Sequence, residues 1–321
     1  MLTDENREST DDGLVALGGR VSDLGHGERA VEQNGSAPQT LELSGTALAA
    51  VLDVDWEQRM GSIVSDDTWF GQDCYVTAEE DLRHHGFDPV KMEIGTTCLV
   101  TFGSDLFRRV DETVPHVVTE FEWPYATTPL RVCTTHSGKR FALHFPSYGG
   151  SRIANSLEQL AACGVRHVIG LGMGGTPQDT IEIGDTVLLE GAIRGDGVSR
   201  YYSPVEFPAV ADLDLTARLH AHLAAANLRH HVGLSFGTDA LYREEENLVR
   251  HLKELGVLSI DLESSAFLTV GRRLGLKCSW IGVVSDRLNQ SKHEGNIHSE
   301  HIMDNLLRLS DHIIQVIDAD L

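Results

Sequence analysis

A chain of 321 residues, 41% of them apolar, can bury one large α/β core and still carry an extension. Its formal net charge of −22, from 48 acidic against 26 basic residues, argues against nonspecific binding to nucleic acid or to an anionic membrane, since both need a basic footprint. The five cysteines are odd in number and lack a C-x-x-C spacing, no apolar run approaches a membrane span, and the acidic start Met1–Arg20 lacks a secretory pattern, so a soluble cytoplasmic protein with reduced thiols is expected.

Residues 1–45 set nine carboxylates, from Asp4 to Glu42, against three arginines, with scattered glycine; an acidic disordered extension is expected there. Residues 46–90 are mixed, with Trp56, Trp69 and Phe70 as docking residues and no further assignment. From about residue 95 the pattern becomes regular, and residues 91–321 read as one domain. Thr97–Phe102 reads as a buried strand running into Gly103, and Arg140–Phe145 alternates as a second. Ser151 opens a helix of period 3.6 (Ile153, Ala154, Leu157, Leu160, Ala161) that Gly164 closes, and the strand Val165–Leu171 follows at once. An extended stretch at Asp185–Ile193 precedes a helix at Asp212–Ala226 and a strand at His231–Phe236. A charged helix from Arg243 to Leu255 ends at Gly256, Val257–Ile260 feeds a helix through Ala266 and Leu274, and Lys277–Ser285 is the last strand before an amphipathic helix over 298–319. Strands alternating with helices predict a largely parallel sheet covered on both faces.

The run Gly170-Leu-Gly-Met-Gly-Gly175 follows a strand, but Thr176-Pro-Gln-Asp and an extended segment come next where a dinucleotide site needs a helix. The glycines read instead as a tight turn, or as a place where backbone amides approach a small ligand. His293, His298 and His301 lack the H-E-x-x-H spacing of catalytic zinc, so no metal is expected. Without a G-x-S-x-G elbow, a serine hydrolase is not expected either. Cys163 and Cys278 lie in apolar surroundings and read as inert packing.

The stretch Gly195-Asp-Gly-Val-Ser-Arg-Tyr-Tyr-Ser-Pro-Val-Glu-Phe-Pro-Ala-Val-Ala-Asp212 resembles a segment of uridine phosphorylases, and its surroundings keep the order used by nucleoside phosphorylases. Ile183–Val187 precedes it; Gly237–Tyr242, Asp261–Ala266 and Gly282–Arg287 follow, and the matches span roughly residues 84–310. The resemblance implies a single-domain phosphorylase-type mixed sheet flanked by helices, assembled as a dimer or hexamer that shares active sites across subunits. It implies a pentosyltransferase that takes a nucleoside and phosphate, with phosphate as co-substrate and no cofactor.

Carried over residue by residue, Glu263 matches the ribose-binding glutamate, with Leu262 where methionine is usual; a carboxylate there can hold the sugar and stabilise positive charge developing on it. The residue would otherwise simply favour a helix N-terminus. His84 or His85 matches a histidine that reaches a neighbouring subunit's ribose, and Gly103 with Arg108 or Arg109 resembles the phosphate loop. Tyr242, Glu245 and Asn247 fall at the base pocket beside Arg287, and Asp286 resembles the aspartate that serves a departing purine. Three departures bear on phosphate: Gly170 stands where uridine phosphorylases carry a phosphate-binding arginine, Met173 replaces a threonine, and the arginine lent by a neighbour falls near Thr127, with Arg131 the nearest substitute. A nucleosidase using water, or a catalytically silent nucleoside binder, are the rival readings.

Overall fold

Period-two burial divides the central strands between two cores. In strand β1 (Thr97–Thr101), Cys98 and Val100 enter one core while Leu99 enters the other; in the long strand β10 (Lys277–Asn289), Cys278 and Trp280 face the first, Ile281 and Val283 the second. The computed structural model describes residues 74–114, 116–289, 292–295 and 299–321. The segments expected at 1–45 and at 46–73 lie outside these residues, as do Asn296, Ile297 and His298.

Helices cover both faces of the sheet. Helix α1 (Ala78–His84), capped by Thr77 and Glu80 in a reciprocal box, buries Leu82 with helix α3 (Gly150–Ala162) and helix α6 (Ser264–Arg273) in the first core. Helix α2 (Ser104–Thr113), helix α4 (Leu213–Ala225) and helix α7 (Glu300–Asp320) close the second. Their buried positions keep helical spacing: Leu215, Leu219 and Leu223 on α4, and Ile302, Leu306, Leu309, Ile313 and Val316 on α7. The side chain of Asp212 caps α4 by accepting from the Leu215 amide at 2.9 Å. Gly164 and Gly256, just past α3 and helix α5 (Glu246–Glu254), take φ of +90° and +76°, the left-handed stop that the sequence predicts.

The sheet is mixed, as the resemblance to nucleoside phosphorylases implies, and not largely parallel, as the alternation of strands and helices predicts. Parallel pairs join β1 to β4 (Arg140–His144) and to β5 (His167–Thr176), β5 to β10, β6 (Thr186–Gly195) to β8 (His230–Thr238), and β8 to β9 (Ser259–Asp261). Antiparallel pairs join β2 (His116–Phe121) to β3 (Leu130–Thr134), β3 to β4, β6 to β7 (Ala209–Val210), β6 to β10, β5 to β9, and β10 to β11 (Lys292–Gly295). Short loops between β2, β3 and β4 permit hairpins, which a parallel sheet forbids. Strands β5, β10, β6, β8 and β9 pair in a closed ring, and β1, β4, β3 and β2 extend from it.

The glycines at 170–175 are not a turn. They lie inside β5, where Gly170 and Gly172 pair with Trp280 and Gly282 of β10. A Cβ at Gly170 would stand 2.8 Å from the Trp280 ring and 3.2 Å from Phe102, and those two rings stack with centroids 4.3 Å apart. The missing side chains make room for an aromatic layer.

Candidate active site

Several loops converge at the ends of β1, β4, β5, β9 and β10. Strand β9 stops at Asp261 and helix α6 starts at Ser264, so Glu263 occupies the N-cap position. Asp261 shapes this join: its Oδ1 accepts from the amides of Glu263 (2.9 Å) and Ser264 (2.6 Å). The Glu263 carboxylate is turned inward, 5% exposed, and its Oε1 accepts from the Gly149 amide at 2.7 Å in the loop between β4 and α3. Burial first, and the Asp261 charge second, push the Glu263 carboxyl up to about 8; burial pushes Asp261 up to about 6. Asp261 Oδ2 is buried with no hydrogen-bond partner among the described residues. Asp239, at the end of β8, adds a further negative field on Glu263 and accepts from the Gly197 amide at 2.6 Å.

Asp286 sits on β10 directly opposite Gly175 of β5, largely buried, and accepts from the Ser285 hydroxyl at 2.5 Å. Gly175 also pairs with Ile260 of β9, one residue before Asp261. The strand leading into Glu263 and the strand bearing Asp286 therefore flank one glycine. A Cβ at Gly175 would stand 2.7 Å from Asp286 Oδ2, so the carboxylate occupies the space that a side chain would fill.

The other residues singled out in the sequence lie in varied settings. Gly103 occupies the N-cap of α2 just after β1 and makes no side-chain cap bond, so no cap side chain satisfies the first-turn amides of that helix. Arg108 stands on the solvent face of α2 with Asp105 and Glu112, whereas Arg109 forms a two-pronged pair with Glu300 at 2.8 and 2.9 Å. Arg131 is taken up by Asp111 and Glu120. Leu262 is half-buried beside Glu263. His84 and His85 end α1 at the surface, each ring bonded to a carbonyl one turn back, and His85 meets Tyr125 edge-on. Tyr242 is 94% exposed, Glu245 caps α5 beside Arg243, and Asn247 accepts from Arg250; these three line the surface rather than an enclosed pocket. Arg287 points toward the β5–β6 loop, donating to Glu182 at 2.5 Å and to the Ile181 carbonyl at 3.1 Å.

Two contributors escape a reading of the sequence. Asp261 is one; its position two residues before a helix-capping glutamate signals an Asx turn but not its burial. Gly149 is the other, identifiable only once the β4–α3 loop has folded against α6. What the arrangement offers chemically is a shielded carboxyl, costly to ionise, held in place by the Gly149 amide.

Residues 94–319 match the model of the Phosphorylase superfamily. A uridine phosphorylase from Thermococcus kodakarensis is 31% identical over 167 residues, 47% of this chain and 60% of that protein. The Escherichia coli uridine phosphorylase is 30% identical over 177 residues, 50% and 66% respectively. A guanosine phosphorylase from Halorubrum lacusprofundi is 30% identical over 171 residues, 53% and 66%. The chain thus spans a little under two thirds of the length of these curated relatives. A crystal structure of uridine phosphorylase from Vibrio fischeri superposes with a TM-score of 0.62 at 23% identity, over 70% of this chain and 92% of that one, which establishes a shared fold.

Proposed function

The chain belongs to the phosphorylase superfamily, and on that footing we propose that it cleaves the N-glycosidic bond of a nucleoside with phosphate. A phosphate oxygen attacks C1′ as the bond from C1′ to the base nitrogen breaks. The electron pair leaves on the base, which takes up a proton, and the sugar departs as ribose 1-phosphate.

The burial of Glu263 carries this reading. The Glu263 carboxyl, buried beside Asp261, makes no salt bridge among the described residues, so once ionised it has no countercharge from them. A sugar acquiring oxocarbenium character supplies one, so the attraction is greater in the transition state than in the ground state. Two hydroxyls on the ribose would satisfy the same oxygens while the substrate waits. Asp286, across Gly175, is placed in the proposal to hydrogen-bond or protonate the departing base, and Arg287 to contact it. Tyr242, Glu245 and Asn247 would line the outer rim of the base pocket, and Leu262 would pack beside the sugar.

Phosphate would meet the amides at the start of α2, behind Gly103. Arg109 can turn to it at small cost, because an ion pair as exposed as Arg109–Glu300 is screened by solvent and holds its partners weakly. Arg108 would serve as a second, more distant cation. His84 or His85 would serve a neighbouring subunit's ribose in a dimer or hexamer. No cofactor enters the scheme.

The test is a panel of purine and pyrimidine nucleosides incubated with and without phosphate, the products separated by chromatography. Ribose 1-phosphate formed only when phosphate is present is the expected result. Free ribose formed at the same rate without phosphate would replace this reading with hydrolysis, the alternative favoured by Gly170 and Met173.

A further inference from the structure

At the end of α6 opposite to Glu263 lies a hollow of about 460 Å³ whose lining includes Tyr202, Phe207, Pro208, Thr269, Arg272 and Arg273. Its helical lining, from Thr269 to Arg273, lies about 9 to 15 Å past the Glu263 N-cap at 1.5 Å per residue, and Glu263 is not part of it, so it is distinct from the candidate active site. A second hollow of about 350 Å³ shares Arg272 with it.

Three observations mark it as a built site rather than a surface dent. Its outer wall is fixed: the Arg194 guanidinium donates to the carbonyls of Ser203 (2.8 Å), Pro204 (2.6 Å) and Phe207 (2.9 Å), and to the Ser199 hydroxyl (2.9 Å). That clamp holds the β6–β7 loop with the Phe207 ring 60% exposed. Thr269, 5% exposed, has a hydroxyl buried with no hydrogen-bond partner among the described residues, although a helical threonine ordinarily bonds back to its own helix. Finally, Arg272 and Arg273 make no salt bridge among the described residues, in a chain with 48 carboxylates; Glu158, which Tyr202 faces, is the acidic group that feels Arg273. Basic residues favour a helix C-terminus for the dipole alone, but that effect requires neither a fixed aromatic wall nor an unsatisfied hydroxyl.

We propose that this hollow binds a phosphate monoester carrying a flat ring, of the nucleoside 5′-monophosphate class. Paired guanidinium groups suit a phosphate dianion, Phe207 and Tyr202 offer faces for a base, and Thr269 supplies a donor to an inner oxygen. The volume fits one small molecule, and the net charge of −22 repels any longer polyanion. The site stands independently of the reaction proposed above.

Calorimetric titration of the full chain with uridine 5′-monophosphate, adenosine 5′-monophosphate and inorganic phosphate tests the proposal. One equivalent of mononucleotide per chain is expected, bound more tightly than phosphate and retained by Glu263→Gln. Affinity falls at least about tenfold in Arg272→Gln/Arg273→Gln, and about fivefold in Thr269→Val, whose shape is preserved. Arg272→Lys/Arg273→Lys, which keeps the charge without the fork, falls between. Circular dichroism shows each variant folded, and basal turnover is unchanged in the arginine variants. Undiminished binding by Arg272→Gln/Arg273→Gln, loss of binding in Glu263→Gln, or no saturable binding by the wild type overturns the site.

Discussion

Glu263 is held where ionising it costs free energy, and the sign of that cost is measurable. Its carboxyl, pushed up to about 8 by burial and by Asp261, stays protonated in the folded chain at pH values where the unfolded chain has released the proton. The associated stability is therefore complete below about pH 4.5, declines as pH rises, and is gone above about pH 8. Asp261, raised to about 6, adds a decline of the same sign over a lower window. Glu263→Gln removes the Glu263 contribution, so the melting temperature of wild type minus that of the variant should shrink steadily from pH 5 to pH 8, as read by thermal melts. A difference that stayed flat would mean that the carboxyl ionises freely in the fold. The same variant should lose about 10²- to 10³-fold in kcat/KM for the substrate found by the nucleoside panel, the scale seen when one transition-state charge partner is removed. A loss smaller than about threefold would move the ribose-binding role elsewhere.

Among the strands and helices, the aromatic layer built on Gly170 leaves no room for a side chain. An arginine there, as in uridine phosphorylases, would begin with a Cβ 2.8 Å from Trp280 and would drive its guanidinium into a ring stack. Gly170→Arg should destabilise by about 3 kcal/mol or more, from overpacking together with an unpaired buried charge, and a urea-denaturation midpoint reports it. Combining it with Trp280→Ala should cost less than the two single changes summed, because the second opens the space that the first needs. Helices were legible at this scale: α3 and α4 follow their apolar period, with Gly164 ending the one and Asp212 capping the other, although α3 starts at Gly150 behind Gly149 and Ser151, read as its cap, lies inside it. The hairpin β2–β3 was not, because β2 is an edge strand whose Val117 and Val118 stay exposed, leaving no alternation to read. Strand direction was not legible either, since buried parallel and antiparallel segments carry the same apolar runs. Of the candidate site, Glu263 and Asp286 were named from motif order. Asp261 and Gly149 could not be, because desolvation and loop contact arise only when distant segments meet.

Across the whole molecule the dominant electrostatic fact is the formal charge of −22. Self-repulsion of that size opposes compaction and is screened by salt, whereas the exposed ion pairs that salt also weakens contribute little. Raising sodium chloride from about 0.1 M to 1 M, which shrinks the Debye length from about 10 Å to 3 Å, should therefore raise the melting temperature. A fall would show that ion pairs outweigh the repulsion.

The closed circle of β5, β10, β6, β8 and β9 has one more effect, felt at Gly175. This single backbone unit is bonded on one side to the strand leading into Glu263 and on the other to the strand carrying Asp286. The two acids thus hang from a common hinge pin that cannot widen without breaking the circle. In the proposed reaction a bulkier sugar or base is therefore admitted by remodelling the surrounding loops, so substrate choice can drift over evolutionary time while the spacing of the acids stays fixed.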